Sequence, residues 1–347
     1  MTIRTRLAGL PRPWALGLVL GSVAAALALA AFALSMPPAP AEPAAFGAGD
    51  AAAYGEIVAR MRAGEGYYAA AHAVLLANDY GTASVFNWRT PLYPTFLALL
   101  PSTLWAQIVL GMLALLAVWL AHRLAEEGGP WLAGGTALAV ALSCTAIATP
   151  EGVMFAEVAA GPLILLSVTA YAAGWRTVGI AAGLLALFVR ELAGIYVLVC
   201  LALALRARRW REAAAWGAGL GIYAGYFAWH HSMAMSQLGP ADRAYPDSWL
   251  QFGGLGFILR TASFNGLLFL APLWVNALLL PLALLGLFAW RRAGRAGLVV
   301  LAYLVAFAMI GKPMNVYWGG MYTPLLMLGL CWAVPAVRDA LTPRRSS

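Results

Sequence analysis

Charged positions are so sparse along this chain that it reads as a series of long apolar runs separated by short polar breaks. Stretches free of Asp, Glu, Lys and Arg cover 13–41, 90–122, 128–150, 158–175, 177–189, 192–205, 213–241, 261–290, 296–311 and 313–337. Most reach the roughly 20 residues that carry a helix across about 30 Å of hydrocarbon. The pattern predicts an all-α integral membrane protein, a polytopic helical bundle of about ten transmembrane helices forming a single domain over 1–347. The first run follows a basic segment, as a signal peptide would. Its apolar stretch of about 21 residues exceeds the roughly 7–15 of a signal core, so it reads as a retained helix rather than one cleaved near 39–41.

Composition removes the soluble alternative. Apolar residues make up 63% of the 347, with 22 Lys or Arg and 14 Asp or Glu, against about 45–50% apolar and about 25% charged in an ordinary soluble domain. The charges then orient the chain. With a cytoplasmic amino terminus and ten crossings, 15 basic residues fall inside and 7 outside, while four acidic residues fall inside and ten outside. That is the positive-inside pattern, with both termini cytoplasmic, and it reads the net charge of +8 as topology rather than nucleic-acid binding. The segment between Arg176 and Arg206 is too long for one perpendicular helix and short for two complete ones. Basic residues at both ends predict a hairpin of two short helices with Arg190 and Glu191 at its apex, near the outer surface.

Two segments lie outside, 35–100 and 233–264. The first opens with a tether containing Pro37, Pro38, Pro40 and Pro43. Tyr54, Ile57, Val58 and Met61 then fall at helical spacing, with Glu56 and Arg60 on another face. This predicts a short amphipathic helix on the outer leaflet with Asp50 at its start, and a second short piece over 91–100, bounded by Pro91 and Pro101. Cys144, Cys200 and Cys331 lie in predicted spans without metal or disulfide spacing and read as packing residues. The single lysine among many arginines, with abundant Ala, suggests a GC-rich bacterial genome.

Charges in or beside spans cost a few kcal/mol each, so each needs a partner or a purpose. Asp50, Arg89, Glu151, Glu157, Arg190, Glu191 and Lys312 all fall toward the outer side, which predicts a cavity opening outward and lined with both signs. Transfer from a lipid-borne donor needs a carboxylate to accept a proton from an incoming hydroxyl and cations to hold a phosphate leaving group.

The motifs resemble a family. Asp50-x-x-x-Tyr54, Gly66-Tyr67-Tyr68 and Arg89-Thr90-Pro91-Leu92-Tyr93-Pro94 are similar to the first outer loop of the GT-C glycosyltransferases, among them the protein O-mannosyltransferases and lipid A aminoarabinose transferases. Phe155-Ala156-Glu157, Phe188-Val189-Arg190-Glu191, Asn315-Val316-Tyr317-Trp318-Gly319 and Met321-Tyr322-Thr323-Pro324 follow in family order. The resemblance implies inverting, metal-independent transfer of a sugar from a polyprenyl-phosphate donor to a glycan, lipid or protein acceptor, on the periplasmic side of a bacterial inner membrane. It implies Asp50 as general base and Arg89, Arg190 and Lys312 as lipid-phosphate ligands. Tyr54, Glu157, Glu191, Tyr317 and Tyr322 would position substrate, Glu157 alternatively a divalent cation. Many members carry an adjacent acidic pair where Asp50 stands between Gly49 and Ala51.

Each residue also has a plainer reading. Asp50 is suited to cap a helix and Asp79 to a turn; Arg89 and Lys312 could anchor at the interface; Arg190 and Glu191 could neutralise each other. His230 and His231, followed by Asp242 and Asp247, point about 100° apart on a helix and make poor joint metal ligands. For the whole chain the rivals are a transporter or lipid flippase, and a non-catalytic subunit of the same fold. Lack of a Walker loop argues against ATP-driven transport by this chain, and no repeat of the kind carriers show is evident.

Overall fold

The computed structural model describes residues 4–37, 46–244 and 251–342. Pro38, Pro40, Pro43, the alternative cleavage point and Asp247 lie outside them. Among the described residues the chain forms fifteen α-helices and no strand. In order these are α1 (Arg12–Ser35), α2 (Phe46–Arg62), α3 (Tyr67–Ala77), α4 (Leu92–Leu99), α5 (Thr103–Ala125), α6 (Pro130–Ser143), α7 (Ala156–Ala172) and α8 (Arg176–Val189). They continue as α9 (Gly194–Arg206), α10 (Trp210–Met235), α11 (Gly254–Ser263), α12 (Leu273–Ala289), α13 (Gly294–Met309), α14 (Thr323–Leu330) and α15 (Ala333–Leu341).

Three segments are long and apolar enough to cross a membrane: Arg12–Ser35, Thr103–Gly128 and Thr323–Leu341. Most other apolar runs yield shorter helices, because Pro and Gly interrupt them before a full crossing. Pro101 and Ser102 divide the run 90–122 into α4 and α5. Large apolar side chains stand exposed all around the molecule, Trp131 at 93% and Leu99 and Leu270 at 81% among them. So many exposed large apolar side chains suit a lipid-facing surface better than an aqueous one.

The core is organised around α7, buried from Ala156 through Ala170. Helices α5 and α8 and the 3-10 segment Val316–Met321 wrap it. Close packing depends on small residues, as expected where helices associate without a water-driven force. A Cβ at Gly161 would lie 2.1 Å from the Gly320 carbonyl oxygen, so glycine lets the 3-10 segment sit directly on α7. The predicted hairpin is present as α8 and α9, joined by a short 3-10 turn Glu191–Ala193. At 14 and 13 residues each arm spans about 20 Å, short of the bilayer core. At its apex Arg190 is buried within the protein, 2% exposed, while the Glu191 side chain is partly exposed.

Helices α2, α3 and α4 pack together. Tyr54, Ile57 and Val58 are buried on one face of α2, which packs against α3, α4 and the turn Gly152–Met154. On the other face Glu56 and Arg60 pair at 3.0 Å, one helical turn apart. Helix α4 is the predicted second short piece, and Arg62 ties α2 to it by donating to the Leu97 carbonyl at 2.9 Å.

Candidate functional site

Asp50 and Tyr54 lie one turn apart on α2 and so share a face. The helix begins at Phe46, one turn before Asp50, so the carboxylate lies inside the helix instead of capping its start. Its partner comes from elsewhere: the Tyr80 hydroxyl donates to Asp50 Oδ1. Tyr80 reaches it because α3 ends in a Schellman arrangement. The Asp79 N–H bonds the Leu76 carbonyl at 3.2 Å and the Tyr80 N–H bonds the Leu75 carbonyl at 2.9 Å, with Asp79 in the left-handed region at φ 59°. Asp79 itself is exposed and acts as the turn residue.

Arg89 lies over the Tyr54 ring, its guanidinium carbon 5.1 Å from the centroid. Its terminal nitrogen donates to the Tyr317 hydroxyl at 3.2 Å, and its carbonyl accepts from the Tyr67 hydroxyl. Its Nε is buried without a hydrogen-bond partner. Phe155 meets Tyr54 edge-on at 6.2 Å and packs on Tyr317 at 5.0 Å, and Tyr317 donates to Asn315 Oδ1 at 3.3 Å.

Glu157 is the second residue of α7, where a carboxylate faces the positive end of the helix dipole. It is fully buried. Its Oε1 accepts from Arg190 Nε at 2.6 Å, and its Oε2 has no partner. The other arm of Arg190 reaches Glu191. Arg190 is thus engaged by two carboxylates, whereas Arg89 retains an open donor. Tyr54 is thus where α2 meets the Arg89 segment, and through Phe155 and Tyr317 the start of α7 and the 3-10 segment Val316–Met321 reach the same centre.

Beside it, Ile57, Val58, Leu75, Tyr93, Leu97 and Met154 line a small, mostly apolar recess of about 20 Å3, to which Arg89 and Tyr54 also contribute. Lys312 is buried and joins the cluster through the backbone: its carbonyl accepts from the Asn315 N–H at 2.9 Å, and Asn315 receives Tyr317. Tyr322 is not brought into the cluster. Its hydroxyl meets Thr261 at 2.9 Å and its ring stacks on Tyr303 at 5.9 Å, in the core. Glu151 is exposed, away from these contacts.

Glu157 and Glu191 both face Arg190. Among the described residues no three His, Cys, Asp or Glu groups gather at metal-binding range. His230 is buried against Tyr68 and His231 is exposed, so the two diverge as helical geometry requires. Tyr80 and Phe155 are the contributors not singled out by spacing. Tyr80 is 30 positions from Asp50 and meets it only through the turn at Asp79, which sequence periodicity does not encode.

Comparison of the chain with protein-family models, with curated proteins and with solved structures gives no match.

Proposed function

We propose that the chain is an integral-membrane glycosyltransferase that transfers a sugar from a polyprenyl-phosphate donor to an acceptor hydroxyl on the outer side of a bacterial inner membrane. The reading rests on the resemblance of the first outer loop to the GT-C enzymes and on one observation: Arg89, with an unpartnered buried Nε, lies over Tyr54 one helical turn from Asp50 and borders an apolar recess. The apolar lining of the recess is of the kind an isoprenoid chain would contact once the site opens, and the unpartnered guanidinium nitrogen is a donor of the kind a phosphate takes up. In the proposed step Asp50 takes the proton from the acceptor hydroxyl as its oxygen forms the bond to the anomeric carbon. The bond from that carbon to the phosphate oxygen breaks with its electron pair leaving on the phosphate, which Arg89 holds. Glu157 Oε2 is an acceptor for a sugar hydroxyl. The burial of Arg190 between two carboxylates favours Arg89 over Arg190 as the phosphate ligand.

The ten-crossing topology belongs to the same proposal. Exposed tryptophans at helix ends support it: Trp14, Trp119, Trp131, Trp175 and Trp210 at ends assigned to the cytoplasm, Trp105, Trp229 and Trp274 at ends assigned outside. Incubating the purified protein with a panel of undecaprenyl-phosphate sugars tests the function. Donor consumption that disappears in Asp50→Asn is the expected result. Turnover by Asp50→Asn at the wild-type rate, or no consumption of any donor, overturns it.

A further inference from the structure

The segment that carries Arg89 has little structure of its own. Between Gly81 and Thr90 the chain makes one 3-10 turn, Val85–Asn87, and no longer helix. A loop that presents a guanidinium in a fixed place must be held from outside, and here the ties converge on a carboxylate some 150 residues away in sequence. Asp242 follows α10 and its side chain is 3% exposed. Its Oδ1 accepts from the Thr82 hydroxyl and pairs with His72 Nε2 at 2.8 Å, and its Oδ2 accepts from the Gly239 N–H at 2.6 Å. One carboxylate thus joins α3, the Arg89 segment and its own turn. The adjacent backbone adds a bond, Ala83 N–H to the Arg243 carbonyl at 3.1 Å.

Both groups that Asp242 fixes act on Trp88, the residue before Arg89. The Thr82 carbonyl accepts the Trp88 indole N–H at 2.9 Å. The His72 ring lies parallel to the Trp88 indole, 5.8 Å between centroids and 8° between planes. Helix α3 also supplies Tyr67, which holds the Arg89 carbonyl, and Tyr68, which meets His230 of α10 at 3.1 Å. Thr82, Trp88 and the Asp242 side chain are all buried, so removing the carboxylate strands the Thr82 hydroxyl away from water. Burial works against an ionised Asp242, and the donors from Thr82, Gly239 and His72 overcome it, holding the carboxyl below its ordinary range.

We propose that Asp242 is a positioning residue for Arg89: through Thr82, His72 and Trp88 it locks the second outer loop onto the first and sets where the Arg89 guanidinium stands. The consequence for ligand binding rests on the proposed role of Arg89 as phosphate ligand; the lock itself does not. Neither Asp242 nor His72 touches the recess or the Asp50 cluster in any contact described above, so the effect is exerted through the Trp88–Arg89 backbone.

The test uses the full chain in lipid nanodiscs, as wild type, Asp242→Ala, Asp242→Asn and Asp242→Glu, with two readouts. Amide hydrogen exchange over 82–90 reports the lock, and binding of undecaprenyl phosphate reports the position of Arg89. In Asp242→Ala, exchange over 82–90 should rise and binding should weaken, each by roughly tenfold, the loss expected for hydrogen bonds to a charged group. Exchange in α5 and α12 should stay at the wild-type level, and Asp242→Asn should fall between the two. Unchanged exchange over 82–90 overturns the lock. Raised exchange with wild-type binding overturns the positioning role. Failure of the wild type itself to bind undecaprenyl phosphate overturns the role given to Arg89, and exchange still decides the lock. Because a folding defect would raise exchange everywhere, protection that is lost only over 82–90 and returns in Asp242→Glu identifies the specific effect.

Discussion

Arg190 donates through Nε to Glu157 at 2.6 Å while its other arm meets Glu191, and both Arg190 and Glu157 are buried. The pair fastens the start of α7 to the apex of the α8–α9 hairpin, so its first role is architectural. Removing one partner leaves an uncompensated buried charge, which costs about 3–5 kcal/mol, whereas replacing both by apolar residues is often close to neutral. Arg190→Leu should therefore lower the thermal denaturation midpoint in detergent steeply, and Arg190→Leu combined with Glu157→Leu should recover much of the loss. Equal destabilisation by the single and double variants would contradict this role.

Arg89 should behave differently, because its Nε is open and its stacking partner Tyr54 belongs to a helix held by other contacts. Arg89→Ala is expected to leave the denaturation midpoint near wild type and to raise the KM for the lipid donor by about tenfold or more, the loss of a charge-assisted phosphate contact. Arg89→Lys keeps the charge but loses the flat guanidinium and its Nε donor, so it should restore only part of the affinity. Steady-state kinetics against donor concentration distinguish the three proteins.

The Tyr80 hydroxyl bond to Asp50 predicts a graded pair of variants. Asp50→Asn removes the proposed proton acceptor and should cut kcat by about 10²–10⁴, the usual contribution of a general base. Tyr80→Phe retains the carboxylate and loses only its orientation, so the fall in kcat should be smaller and donor KM unchanged. Single-turnover measurements separate a loss of chemistry from a loss of binding. A Tyr80→Phe variant as impaired as Asp50→Asn would assign Tyr80 a larger part than orientation.

Much of the architecture was legible from where charges are missing, because in a membrane protein each break in an apolar run is an event. The short hairpin, the buried face of α2 and the separate piece at α4 follow from Arg176 and Arg206, from the spacing of Tyr54, Ile57 and Val58, and from Pro91 and Pro101. Helix lengths were less legible, since an uncharged run such as 128–150 contains a helix of only 14 residues followed by one short 3-10 turn. The composition of the cluster was visible as charged residues in or beside apolar runs, but not its pairing. Nothing in spacing distinguishes Arg190, held by two carboxylates, from Arg89, held by two tyrosines. Tyr322 and Tyr317 are five positions apart, yet the 3-10 turn between them sends one into the core and the other to Arg89.

Asp79 tests the distinction between a charged residue used for its charge and one used for its backbone. At φ 59° it occupies a conformation that costs an ordinary L-residue about 1–2 kcal/mol and that glycine and aspartate tolerate. Asp79→Gly should therefore keep stability and transfer near wild type, showing that the carboxylate is not required. Asp79→Val should destabilise the end of α3 by about that amount and displace Tyr80 from Asp50, lowering kcat. Thermal denaturation and kcat for the two variants provide the comparison, and a large loss of activity in Asp79→Gly would mean that the carboxylate itself is used.

Asp242 makes the pH dependence of the outer loops predictable in sign. Its carboxyl is held below the ordinary value because burial is outweighed by donors from Thr82, Gly239 and His72. A group depressed in the folded state contributes stability that is fully present above its unfolded value, about 3.9 for aspartate, and that is lost as pH falls through the lower folded value. The difference in denaturation midpoint between wild type and Asp242→Asn should therefore persist from pH 7 to pH 5 and shrink only below about pH 4. If the difference instead disappeared between pH 7 and pH 5, the ionised carboxylate would not be the group that locks the loops.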